Sequence, residues 1–136
     1  MKSRTILVVD DDISLLEALK LLLERNGYQV ARVCGGLEAA EAIESESFDL
    51  LLTDILFPGR RSIEALIGLG KRSGPVRIIG MSGGNRYLPD YYLSLTRKLG
   101  VQTILQKPLG EEQLLAAIDE VFSEKRSPRE ADSVQP

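Results

Sequence analysis

The chain has no histidine, no tryptophan and a single cysteine among its 136 residues. Without histidine, Ser-His-Asp hydrolysis and histidine-ligated zinc are excluded, and the chain cannot itself be a histidine phosphodonor. One thiol, Cys34, cannot close an internal disulfide, which fits a reducing, cytoplasmic compartment. It reads as a small buried or half-buried hydrophobe. No apolar stretch approaches the ~20 residues needed to cross a bilayer, so no membrane contact is expected. A signal peptide is not expected either: Lys2 and Arg4 precede an apolar stretch that ends at once in Asp10, Asp11 and Asp12. A net charge of −3 supplies no basic surface, and no direct nucleic-acid partner is expected. No Gly-x-Gly-x-x-Gly follows the first apolar run, which removes a dinucleotide-binding domain.

What is present is a globular composition, 43% hydrophobic and 27% charged, on a chain the length of one domain. Strand and helix patterns alternate along it, the signature of an α/β domain with a parallel sheet. Thr5 to Val9 is a continuous apolar strand of the kind buried on both faces. Ile13, Leu15, Leu16, Leu19, Leu22 and Leu23 then fall at helical spacing, with Ser14 and Glu17 offering a capping box and Asn26-Gly27 a stop. Tyr28 to Val33 alternates in polarity and suits an edge strand. Leu37, Ala40 and Ile43 stripe a short second helix. Phe48 to Thr53 and Val76 to Met81 are the third and fourth strands, with Ile63, Leu66 and Ile67 on a helix between them. Arg86 to Leu99 is a fourth helical segment, begun through Pro89. Val101 to Leu105 is the last strand. The last helix carries Leu114, Leu115, Ile118, Val121 and Phe122 behind an acidic first turn at Glu111 and Glu112. Residues 1–125 form the domain and 126–136, polar with two prolines, a tail without structure. No output domain is expected after it.

The chemistry gathers where strands end. Asp10 and Asp11 follow the first strand, Asp54 the third, and Lys107-Pro108 the fifth. In open parallel α/β sheets, ligands bind just outside the carboxyl ends of the strands. Clustered carboxylates repel unless a cation joins them, so three acids ask for a divalent metal. The lysine adds a place for an anion, and the combination suits a phosphoryl group.

These residues at these spacings resemble the receiver domains of two-component response regulators. The pattern is the early acidic pair, the Asp-x-x-x-Pro loop from Asp54 to Pro58, Ser82 after the fourth strand, and Lys107-Pro108, over residues 4 to 125. The resemblance implies a doubly wound, five-stranded parallel sheet in the flavodoxin-like order 2-1-3-4-5. Helices one and five would lie on one face, and two, three and four on the other. It implies that Asp54 is the phosphoryl acceptor, and that Mg²⁺ is held by Asp11, by Asp10 through a bound water, by Asp54 and by the backbone carbonyl of Leu56. It further implies that Lys107 pairs with a phosphoryl oxygen, that its bond to Pro108 is cis, and that the Ser82 hydroxyl bonds the phosphoryl group. Asp12 reads instead as the residue that starts the first helix. The implied donor is a sensor histidine kinase or a histidine phosphotransfer protein, and the implied recipient is a downstream effector protein.

Departures from the pattern are specific. Phe57 stands where methionine is frequent, and Arg61 and Ser62 stand where Asp-Gly is usual, with Ser62 able to cap helix three. The segment between Ser82 and Lys107 is longer than usual, and Ile104 replaces the aromatic residue of the last strand. Two other readings stay open at this point. One is a receiver-like module that binds partners without a phosphorylation switch. The other is a Mg²⁺-dependent phosphohydrolase, against which stands Leu56, at the position where such enzymes place a second acid. The chain is therefore expected to be a covalently modified regulator rather than an enzyme.

Overall fold

The computed structural model describes residues 4–33, 47–55, 77–83 and 100–123, together with positions 38, 41, 42 and 45. Its elements are β1 (Thr5–Val9), α1 (Ile13–Arg25), β2 (Gln29–Val33), β3 (Leu50–Asp54), β4 (Arg77–Ser82), β5 (Val101–Gln106) and α2 (Glu111–Ser123). All four strand pairings are parallel and the spatial order is β2-β1-β3-β4-β5, as the resemblance implies. Cys34, Leu56, Phe57, Pro58, Arg61, Ser62, Gly84, Tyr87, Tyr91 and Tyr92 lie outside the described residues, as do the third and fourth helices and the tail. Positions 38, 41, 42 and 45 are helical, where the short second helix is expected.

Alternate residues of each strand go to opposite faces. On one face Ile6, Val8, Leu50, Leu52, Ile79, Met81 and Leu105 meet Leu16, Leu19 and Leu23 of α1 and Leu114, Ile118 and Val121 of α2 in a single core. On the other face Leu7, Val9, Leu51 and Ile78 are buried as well. A sheet covered on both sides explains the unbroken apolar runs. Each large side chain so buried contributes about 1.5–3 kcal/mol. Among the described residues β2 pairs with β1 alone, at the edge of the sheet, and exposes Gln29 and Arg32, as expected for an edge strand.

Two local expectations need correction. The capping box of Ser14 and Glu17 does not form, because the helix already begins at Ile13. Asp12 is the N-cap: it is extended at φ −92°, ψ 103°, and its carboxylate accepts from the Leu15 N–H at 3.2 Å. The reversal after β1 needs so few residues that the run of aspartates supplies the cap before Ser14 is reached. The Asn26-Gly27 stop does form, with Gly27 at φ +94° and its N–H donating to the Glu24 carbonyl at 3.1 Å.

The strand ends also differ. β3, β4 and β5 run through Asp54, Ser82 and Gln106, each one residue past the apolar stretch that signals it. Backbone ladders are indifferent to side-chain polarity, so Asp54 still pairs with Met81, and Ser82 with Gln106. Ladder residues at this edge are more rigidly held than loop residues would be.

Candidate functional site

Asp10 leaves β1 fully buried, a position that is costly for a carboxylate without partners. Both of its oxygens are engaged. Oδ1 accepts from the Asp12 N–H at 2.9 Å, and Oδ2 accepts from Lys107 Nζ at 2.6 Å. Lys107 is carried to this point by the β4–β5 ladder: its N–H donates to the Ser82 carbonyl at 2.8 Å, and its bond to Pro108 is cis. The same ammonium lies 3.5 Å from Asp54 Oδ2. Partial burial of Lys107 works against its charge, but the Asp10 hydrogen bond and the charges of Asp54 and Asp10 outweigh that, and its pKa is raised.

Asp11 is exposed at the mouth of the site, and Asp54 is half-buried at the end of β3. Asp10, Asp11 and Asp54 each offer a carboxylate oxygen, and these oxygens lie within 4.8 Å of one another. One ammonium against three carboxylates leaves the cluster net negative. Oxygen donors alone, with an exposed side, are the set that a hard divalent cation such as Mg²⁺ takes, keeping several of its waters. The residues present therefore fit the metal.

The structure thus brings Asp10, Asp11, Asp54 and Lys107 together. Ser82 is buried at the end of β4, directly before the chain leaves the sheet and beside Gln106 in register. Leu56, the remaining residue of the expected metal set, lies outside the described residues. Asp12 belongs to α1 as its cap.

Three residues that shape the site escape a reading of charge and motif. The Thr53 hydroxyl, buried, donates to the Asp54 carbonyl at 3.2 Å. The Ile55 N–H donates to the Met81 carbonyl at 2.9 Å, so β3 stays tied to β4 past Asp54. Gly80 faces Ile55. An isolated glycine inside the apolar run Ile78 to Met81 is a signal of close approach, and it was available in the sequence.

Among the described residues no helix is long and apolar enough to cross a membrane. Residues 6–119 match the response regulator receiver domain family. The chain is 36% identical over 124 residues to a transcriptional regulatory protein, a CpxR homolog of Haemophilus influenzae, covering 90% of this chain and 52% of that protein. It is 35% identical over 115 residues to the CAI-1 autoinducer sensor kinase/phosphatase CqsS of Vibrio cholerae, covering 82% of this chain and 16% of that one. The chain spans about half the length of the curated transcriptional regulators it matches. Among solved structures, a CheY-like receiver domain from Methanospirillum hungatei superposes with a TM-score of 0.78 at 30% identity, covering 88% of this chain and 93% of that one. The signal receiver domain of a putative Luxo repressor protein from Vibrio parahaemolyticus shares the fold, with a TM-score of 0.77 at 20% identity over 99% of both chains. With the sheet order, the acidic cluster and the family match running through the same residues, the chain belongs to the response regulator receiver domain family.

Proposed function

We propose that this receiver accepts a phosphoryl group on Asp54 and signals through the modified form. The observation that carries the reading is the meeting of Asp10, Asp11 and Asp54 within 4.8 Å, with Lys107 3.5 Å from Asp54. A carboxylate is a competent nucleophile toward phosphorus. An oxygen of Asp54 forms the new P–O bond while the P–N bond of a donor phosphohistidine breaks, its electron pair remaining on the imidazole. Such a transfer asks the protein for in-line placement and charge neutralisation more than for covalent chemistry. Mg²⁺ would supply part of that neutralisation, and Asp11, Asp54, Asp10 and the Leu56 carbonyl are the groups that would hold it. Asp10 would do so less directly than the others, because both its oxygens already accept hydrogen bonds. Lys107 meets a phosphoryl oxygen as a point charge, and the Ser82 hydroxyl donates to another.

The donor is a sensor histidine kinase or a histidine phosphotransfer protein, and the recipient a downstream effector or the next member of a relay, all in the cytoplasm. The chain itself acts on protein partners, without contacting nucleic acid or membrane. Incubation with Mg²⁺ and acetyl phosphate, read by intact-mass spectrometry, tests the reading. One added phosphoryl group is expected, absent from Asp54→Ala. Equal labelling of that variant would overturn the assignment.

A further inference from the structure

We propose that Ile55, seated in a notch left open by Gly80, is a positioning residue that fixes where the Asp54 carboxylate lies; the inference rests on Asp54 being the acceptor. A Cβ built on Gly80 would lie 2.5 Å from Ile55 Cδ1, 2.7 Å from Ile55 Cγ1 and 3.5 Å from Val101 Cγ1. Carbon atoms pack at about 3.5–4.0 Å, so the Ile55 side chain occupies the space that any other residue at position 80 would claim. Gly80 is not there for its backbone: the left-handed glycines among the described residues are Gly27 and Gly100. A glycine in a strand interior is otherwise a liability, and close approach is the reason it is tolerated.

Ile55 directly follows Asp54 and is 9% exposed. Its N–H is tied to Met81, and the Thr53 hydroxyl is tied to the Asp54 carbonyl, so the acceptor is gripped from both neighbours. The side chain cannot leave the notch by turning its outer methyl. Cγ1 is one bond from Cβ and itself 2.7 Å from the blocked position, and β-branched side chains are stiff at χ1. On this proposal a group placed at position 80 displaces Ile55 bodily rather than only turning its side chain, and carries Asp54 with it relative to Asp10, Asp11 and Lys107. Nothing in this reaches the reacting atoms directly. Ile55 acts through the backbone of Asp54.

The test uses the whole chain as wild type, Gly80→Ala, Ile55→Ala and the double variant. Metal-free amide NMR shifts of Asp54 and Lys107, Mg²⁺ affinity by titration, labelling rate with acetyl phosphate, and the urea midpoint are recorded for each. Gly80→Ala should move the metal-free shifts and weaken Mg²⁺ binding about tenfold, the lower end of what disturbing the support of a metal ligand costs in affinity. The double variant, which trades the Ile55 branch for the new methyl, should recover most of that loss although it restores no charged group. Should Gly80→Ala not fold, Ile55→Ala alone must weaken Mg²⁺ binding in a folded chain. Wild-type shifts and affinity in Gly80→Ala would overturn the inference. So would losses that follow the urea midpoint across all variants with no recovery in the double. A wild type that takes no label on Asp54 would defeat the functional reading instead, while the metal-free shifts still report whether Ile55 positions Asp54.

Discussion

Asp10 and Asp12 are separated by one residue and carry the same group, yet the fold gives them unrelated work. Asp12 caps α1, and Asp12→Ala should cost about 1 kcal/mol of stability, read as a lower urea midpoint, with Mg²⁺ affinity unchanged. Asp11→Ala should leave the midpoint near wild type and weaken Mg²⁺ binding severely. Equal Mg²⁺ affinities in the two variants would mean the acidic run had been placed one residue out. Asp10 has a third role as the buried partner of Lys107, whose side chain is 22% exposed. Lys107→Met strands that carboxylate and should cost about 3 kcal/mol, the lower end of the range for breaking a buried pair. The pair also has a pH signature. Because the Lys107 pKa is raised in the folded state above its ordinary 10.5, the stability it adds is fully present below that value. It is lost as pH rises through the higher folded value. The gap in urea midpoint between wild type and Lys107→Met should therefore hold from neutral pH to about pH 10 and shrink in stronger alkali. A gap that narrows between pH 6 and 8 would assign the effect to another group.

Helix ends and strand ends show what a sequence can and cannot disclose about an element. The apolar stripes at Leu16, Leu19 and Leu23 and at Leu114, Ile118 and Val121 announce α1 and α2, and each of these side chains is buried. The strands announce themselves by apolar runs, but their last residues are polar, so Asp54 and Ser82 look like loop residues until the ladder is seen. At α1 the sequence offers two starts, the Ser14–Glu17 capping box and Asp12, and the backbone geometry selects Asp12, the residue already read as the helix entry. The C-terminal end of α2 combines one local bond, from the Ser123 hydroxyl to the Glu120 carbonyl at 3.0 Å, with a tertiary one. Its last turn holds no basic residue, and the Val121 carbonyl accepts instead from Arg77 Nε of β4 at 2.8 Å. The Arg77 guanidinium also lies over the Phe122 ring, 5.6 Å from its centroid, with Arg4 at 4.0 Å. Arg77→Ala should cost about 1.5–3 kcal/mol, the worth of a charge-assisted hydrogen bond. Hydrogen exchange should speed up at residues 119–123 and not along α1. Uniform acceleration in both helices would contradict a local anchor.

For the molecule as a whole, the topology was legible only through the family resemblance, since periodicity orders elements along the chain and says nothing of their order in space. The site residues were legible as charges at strand ends; of the apolar seating of Asp54 only the isolated Gly80 was a signal, and nothing in the sequence says that Ile55 is what approaches it. Ile104 bears on how a signal would leave this site. It is half-buried on β5 in register with Gly80, aliphatic where the family pattern has an aromatic residue. A ligand shifts an equilibrium only by its differential contacts with the two states, and an isoleucine lacks the polar contact that distinguishes a buried from an exposed aromatic rotamer. The expectation is that the beryllofluoride phosphoryl mimic shifts amides of residues 83–92, around Tyr87, Tyr91 and Tyr92, more than those of the remainder of β5 and α2. The reverse pattern would return this chain to the ordinary route.

The bond from Lys107 Nζ to Asp10 Oδ2 joins residues 97 apart in sequence. Almost the entire domain must be in hand before the two can meet, and parallel pairing of distant strands is slow to form. A chain still emerging from the ribosome, with β1, α1 and β3 already made, would carry every acidic residue of the cluster and no counter-ion for Asp10. On the proposed function, the site would be complete only after β5 has joined the sheet, because Lys107 is the last of its residues to be made.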